Sequence, residues 1–100
     1  MSTWKLTRKA RTDYAEILLY TIDAWGEEQA ERYLALLLDG FDLLAQNPGI
    51  GRPCNRLAPR LRRFEQGKHV IFYKPDRNGI IVSRVLHQSR LPARPHFIDA

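Results

Sequence analysis

Residues 22–30, Ile22-Asp23-Ala24-Trp25-Gly26-Glu27-Glu28-Gln29-Ala30, decide the fold, because two helical patterns meet there with almost no turn between them. Upstream, apolar residues fall at Ala10, Tyr14, Ile17, Leu18, Ile22 and Trp25, and offsets of 4, 7, 8, 12 and 15 trace one stripe at helical period. Gly26 ends that helix, since glycine readily takes the left-handed backbone such stops use. Glu27, Glu28 and Glu31 open a second helix, where carboxylates suit the positive end of the dipole. Its stripe is Ala30, Tyr33, Leu34, Leu37, Leu38, Phe41, Leu44 and Ala45, and Leu36 and Leu43 widen it, so the helix is expected to be covered on two sides. So short a connection makes the pair an antiparallel hairpin.

Working outward, Trp4 and Leu6 alternate with Lys5 as in a short half-buried strand, and Thr7 can cap the helix that follows. After the hairpin, Asn47-Pro48-Gly49-Ile50-Gly51-Arg52-Pro53 gathers several helix breakers, and an irregular stretch is expected to about Pro59. Three strands follow: residues 60–66, then 68–74 after a tight turn at Gly67, then 80–87 after the hairpin signal Pro75-Asp76-Arg77-Asn78-Gly79. The expectation is one α+β domain over residues 1–100, ordered β-α-α-β-β-β. An N-terminal helical hairpin packs on a small, mainly antiparallel sheet.

Composition fits a globular chain: 44% apolar and 27% charged among 100 residues. No apolar run is long enough for a bilayer, and Met-Ser-Thr-Trp-Lys-Leu-Thr lacks the apolar core of a signal peptide. The single Cys54 forms no internal disulfide and reads as a passive loop thiol, so a cytoplasmic location is expected. The net charge of +5 is divided unevenly. Residues 1–51 carry five Lys/Arg against eight Asp/Glu, a net of −3, and residues 52–100 carry eleven against three, a net of +8. A basic half of that size favours an acidic partner: nucleic acid, ribosome or an acidic protein segment.

His69, His87 and His96 are scattered without metal-ligand spacing, so no metal is expected. Gly49-x-Gly51 lacks the lysine and helix of a phosphate loop, so no cofactor is expected, and no nucleophile motif surrounds Ser83 or Ser89. What remains is a basic set: Arg60, Arg62, Arg63, Lys68, Lys74, Arg84, Arg90 and Arg94, with His87 and His96. Arg62 and Arg63 point to opposite faces of their strand. Arginine and histidine on a sheet suit phosphate binding or acid–base work; the plainer reading is ion pairing with Glu65, Asp76 and helix carboxylates.

The helix–Trp25-Gly26–helix hairpin, Asn47-Pro48-Gly49-Ile50-Gly51-Arg52, Arg62-Arg63-Phe64, Gly67-Lys68-His69-Val70-Ile71-Phe72-Tyr73 and Arg84-Val85-Leu86-His87-Gln88-Ser89 together resemble the ParE/RelE toxin superfamily, and more specifically its ParE branch. The resemblance covers almost the whole chain in order. It implies the toxin of a bacterial type II toxin–antitoxin module, acting on DNA gyrase and blocking replication without catalysis of its own. The implied partner is a cognate antitoxin with an acidic or amphipathic C-terminal segment. No membrane is implied, and nucleic acid is met only through antitoxin or target. Target contact is then expected at Arg63, Lys68, Arg84, His87, Arg90 and Arg94, and antitoxin contact at Tyr33, Leu37, Phe41, Arg62 and Arg84. RelE-type relatives cut messenger RNA on the ribosome, and in that reading Arg62, Arg63, His87, Arg90 and His96 are the candidates. A third reading is a non-toxic member that only binds its antitoxin. The chain departs from the ParE pattern after Ser89, with Arg90-Leu91-Pro92 where the family usually has a Met-Asp pair.

Overall fold

The two helical stripes form the hairpin their spacing predicts. In the structure, a computed structural model that describes residues 2–91, β1 (Thr3–Leu6) leads into α1 (Arg8–Trp25) and α2 (Glu27–Gln46). Thr7 caps α1: its Oγ accepts from the Ala10 N–H at 3.1 Å and donates to the Ser83 carbonyl at 2.9 Å, which ties the helix start to the last strand. The first of these bonds contributes about 1 kcal/mol. Gly26, at φ 89°, closes α1 and opens α2, so a single residue makes the whole turn.

Among the described residues four strands follow rather than three: β2 (Arg52–Pro53), β3 (Arg62–Gln66), β4 (His69–Asp76) and β5 (Gly79–His87). The sequence pattern does not anticipate β2, because two residues are too few to show an alternation. Pro75 and Asp76 continue the fourth strand instead of turning, and Arg77-Asn78 alone makes the hairpin. The sheet order is β1-β5-β4-β3-β2. β1 lies parallel to β5, and every other pairing is antiparallel. The N-terminal strand thus closes the edge beside the last one.

Both faces of the sheet are covered. The hairpin buries Ala10, Ile17, Leu34, Leu37, Phe41 and Leu44 against Ile71, Tyr73, Ile80, Val82 and Val85. On the opposite face, the segment 54–61 lays Ala58 and Leu61 over Val70 and Phe72 as a smaller second core. The irregular stretch is therefore a lid on the sheet. It is anchored where the Tyr73 hydroxyl donates to the Pro48 carbonyl at 2.8 Å and accepts the Gly51 N–H at 2.9 Å.

Candidate functional site

The basic residues singled out in the sequence do not form one cluster; the strands distribute them over two faces and one end. Trp4 packs on Phe41 of α2, so β1 turns Trp4 and Leu6 toward the helices and Lys5 away. By the same alternation His69, Ile71 and Tyr73 of β4 face the helices, and Val70, Phe72 and Lys74 face away.

Arg62 pairs with Tyr73, and its guanidinium donates to the Gly49 carbonyl at 3.2 Å, holding the segment after α2. Arg63 pairs with Phe72 on the far face, with its guanidinium carbon 5.8 Å from the Phe72 ring centroid and Nη2 3.6 Å from Glu65. Arg52 also meets Glu65, across β2 and β3. The expectation that Arg62 and Arg63 point apart holds, and it separates them as a catalytic pair.

Arg84 is held on both sides of its fork. Asp13 of α1 accepts from Arg84 Nε and Nη2, each at 2.8 Å, and from the Val85 N–H at 3.0 Å. Both side chains are nearly enclosed, 8% exposed for Asp13 and 16% for Arg84. The hydrogen bonds to Asp13 raise the Arg84 pKa above its already high ordinary value, against the effect of burial. Arg84 was expected at both partner surfaces. In the fold its fork is held by Asp13, because a carboxylate on the buried stripe of α1 needs a cation. The sequence signal for Asp13 was its place between Ala10 and Ile17 on that stripe, and the reading missed it.

A second group gathers at the end of the sheet where β3 turns into β4. The Lys68 N–H donates to the Tyr33 hydroxyl at 3.0 Å, and that hydroxyl lies 2.5 Å from His69 Nδ1. The hydroxyl and Nδ1 share one hydrogen bond, whose donor is set by the tautomer of the ring. Burial first, and the neighbouring His87 second, lower the His69 pKa to about 4. His87 is the cross-strand partner of His69, with ring centroids 5.3 Å apart and edge to face. The Ser89 N–H donates to His87 Nδ1 at 3.1 Å. Gln88 N–H donates to the Lys68 carbonyl and Arg90 N–H to the His87 carbonyl, each at 2.9 Å. Lys68, His87 and Arg90 are therefore brought together at one end of the molecule. Arg94 and His96 lie outside the described residues.

The antitoxin candidates need a correction. Leu37 and Phe41 have no exposed surface at all; both belong to the core between hairpin and sheet. They cannot touch a partner while the hairpin stays packed. Leu36 and Leu43, which widen the stripe to a second side that only a sheet or a partner could cover, are exposed at 38% and 44%. Tyr33 is half-buried, with its ring beside His69. Among the described residues no group of three or more His, Cys, Asp or Glu is placed to hold a metal ion.

Comparison with known proteins bears on the whole of this arrangement. A profile of the family described as ParE toxin of type II toxin-antitoxin system, parDE, matches residues 4–92. The chain is 38% identical to Toxin ParE1 of Caulobacter vibrioides, over 97% of this chain and 99% of that one. It is 42% identical to Toxin ParE1 of Mycobacterium tuberculosis, over 87% of this chain and 90% of that one. Among solved structures it is similar to a chain of the chromosomal ParDE TA system from P. aeruginosa, with a TM-score of 0.74, 24% identity, and coverage of 87% of this chain and 96% of that one. That likeness supports the α+β fold.

Proposed function

The chain belongs to the ParE toxin family of type II toxin–antitoxin systems, and from that premise we propose that it inhibits DNA gyrase by protein–protein contact until a cognate antitoxin neutralises it. The toxin role follows from the family. The observation that carries the finer reading is the likeness at 38% identity along almost the full length of both chains, since it includes the helical hairpin, the strands and the end bearing Lys68, His87 and Arg90. No helix among the described residues is long and apolar enough to cross a membrane, and the proposed site of action is the cytoplasm.

The placement of side chains supports a mechanism without catalysis. Cleavage of RNA requires an acid–base group and cations converging on one phosphate. Here Arg62 and Arg63 are on opposite faces and Arg84 is held by Asp13. The end formed by Lys68, His87 and Arg90 is the proposed gyrase contact. The exposed side of α2, with Leu36, Leu43 and the edge of Tyr33, is the proposed antitoxin seat. An amphipathic segment ordering there covers apolar surface at an entropic cost that its length offsets.

Purified protein added to a gyrase supercoiling reaction is expected to inhibit it or to trap cleaved DNA. Unaffected supercoiling at stoichiometric excess refutes the target. Codon-linked cuts in messenger RNA after induction, read by primer extension, would put the RelE-type reading in its place.

A further inference from the structure

We propose that the face of the sheet turned away from the helices binds the phosphate backbone of duplex nucleic acid without reading its sequence. Lys5 of β1 and Lys74 of β4 both pair with Ile81 of β5, so the three form one row on that face. Two strand spacings set the two lysine backbones about 10 Å apart. The Arg60 guanidinium donates to the Pro75 carbonyl at 3.1 Å, which places it beside Lys74. Arg56 is exposed on the segment that covers this face, and Arg77 is exposed in the turn at its end. Among the described residues none of Lys5, Arg56, Lys74 and Arg77 has an ion pair. The acids nearby are Asp76, whose Oδ1 accepts the Asn78 N–H, and Glu65 further along, held by Arg52 and Arg63.

The chemistry of this face favours phosphate over the other polyanion, an acidic peptide. A peptide gains affinity from apolar anchors in pockets. Val70 and Phe72 of this face lie under the segment 54–61 and are at most 1% exposed, and Ile81 of the lysine row is half-buried. Among the described residues, exposed aromatic rings, which single strands use for stacking, are found on α1 at Tyr20 and Trp25 and not here. What remains is a spread of cations, which suits contact with the phosphate backbone.

The proposal goes beyond gyrase inhibition and is tested without gyrase. Fluorescence anisotropy of the purified chain with a labelled random-sequence 20-base-pair duplex is expected to show micromolar binding. With about three phosphate contacts, affinity is expected to fall about 40-fold between 50 and 200 mM salt. The double substitution Lys5→Gln/Lys74→Gln is expected to lower the salt slope by about two contacts, with an unchanged thermal melt. Arg32→Gln, on the helical side where Arg32 pairs with Glu28, is expected to leave binding unchanged. A flat salt response, or binding unchanged in the double variant, overturns the proposal. So does a polyglutamate peptide of equal charge that binds as tightly as the duplex.

Discussion

Substitution at the Asp13–Arg84 pair gives the sharpest test of the site. The Asp13–Arg84 pair is nearly enclosed and makes three hydrogen bonds through Asp13. It therefore behaves as a buried pair rather than a surface one, and removing one partner leaves the other charge unpaired at a cost of about 3–5 kcal/mol. Against a total stability of about 5–15 kcal/mol, that is a large fraction. With a urea slope of about 1.5 kcal/mol per molar, Asp13→Ala or Arg84→Ala is expected to lower the unfolding midpoint by about 2–3 M. The double substitution Asp13→Leu/Arg84→Met removes both charges and fills the space. It should recover much of the loss, short of about 1–3 kcal/mol for the Val85 N–H left without its acceptor. Urea melts followed by circular dichroism give the midpoints, and gyrase inhibition by the same proteins gives the function. If Arg84 acts only within the fold, the double variant regains inhibition as it regains stability. A stable double variant that stays inactive would make Arg84 a target contact, and a shift below about 0.5 M in either single variant would refute the buried-pair argument itself.

Three further outcomes are expected. The His69 pKa, lowered to about 4 from its ordinary 6.5, means that the unfolded chain takes up a proton between those values more readily than the folded one. Stability is then full above pH 6.5 and falls as pH drops toward 4, by about 1–2 kcal/mol once the solvent screening of a half-exposed ring is allowed for; His69→Phe should flatten that part of a pH series of urea midpoints. Tyr73→Phe leaves the Pro48 carbonyl and the Gly51 N–H without their partner, and a loss of about 2–3 kcal/mol is expected in thermal melts, whereas a change under about 0.5 kcal/mol would mean the 54–61 lid is held by other contacts. Leu36→Ser/Leu43→Ser alters exposed positions, so stability should hold while co-expressed antitoxin loses its protective effect; full protection by the antitoxin would move its seat elsewhere.

The elements and their order were legible because they rest on local physics. Stripes at helical period, a glycine at the only place where two helices can meet, and β-branched runs punctuated by Gly67 and Asn78-Gly79 each specify structure over a few residues. The charge division and the family's segments were equally local, and the matched profile over residues 4–92 accords with them. Tertiary structure decided everything that depends on residues far apart in the chain. It turned β1 parallel to β5, added β2, and folded the segment 54–61 over the second face. It chose which leucines of α2 are core and which are surface, sending Leu37 inward and leaving Leu36 and Leu43 out. It also split the basic residues by use: Arg84 to Asp13, Arg62 to Gly49, Arg63 and Arg52 to Glu65, with Lys5 and Lys74 left free of ion pairs among the described residues. The physical reason is that a charge announces itself in sequence, but whether it is spent on a carboxylate 71 positions away or kept for a partner is set by which strands lie side by side.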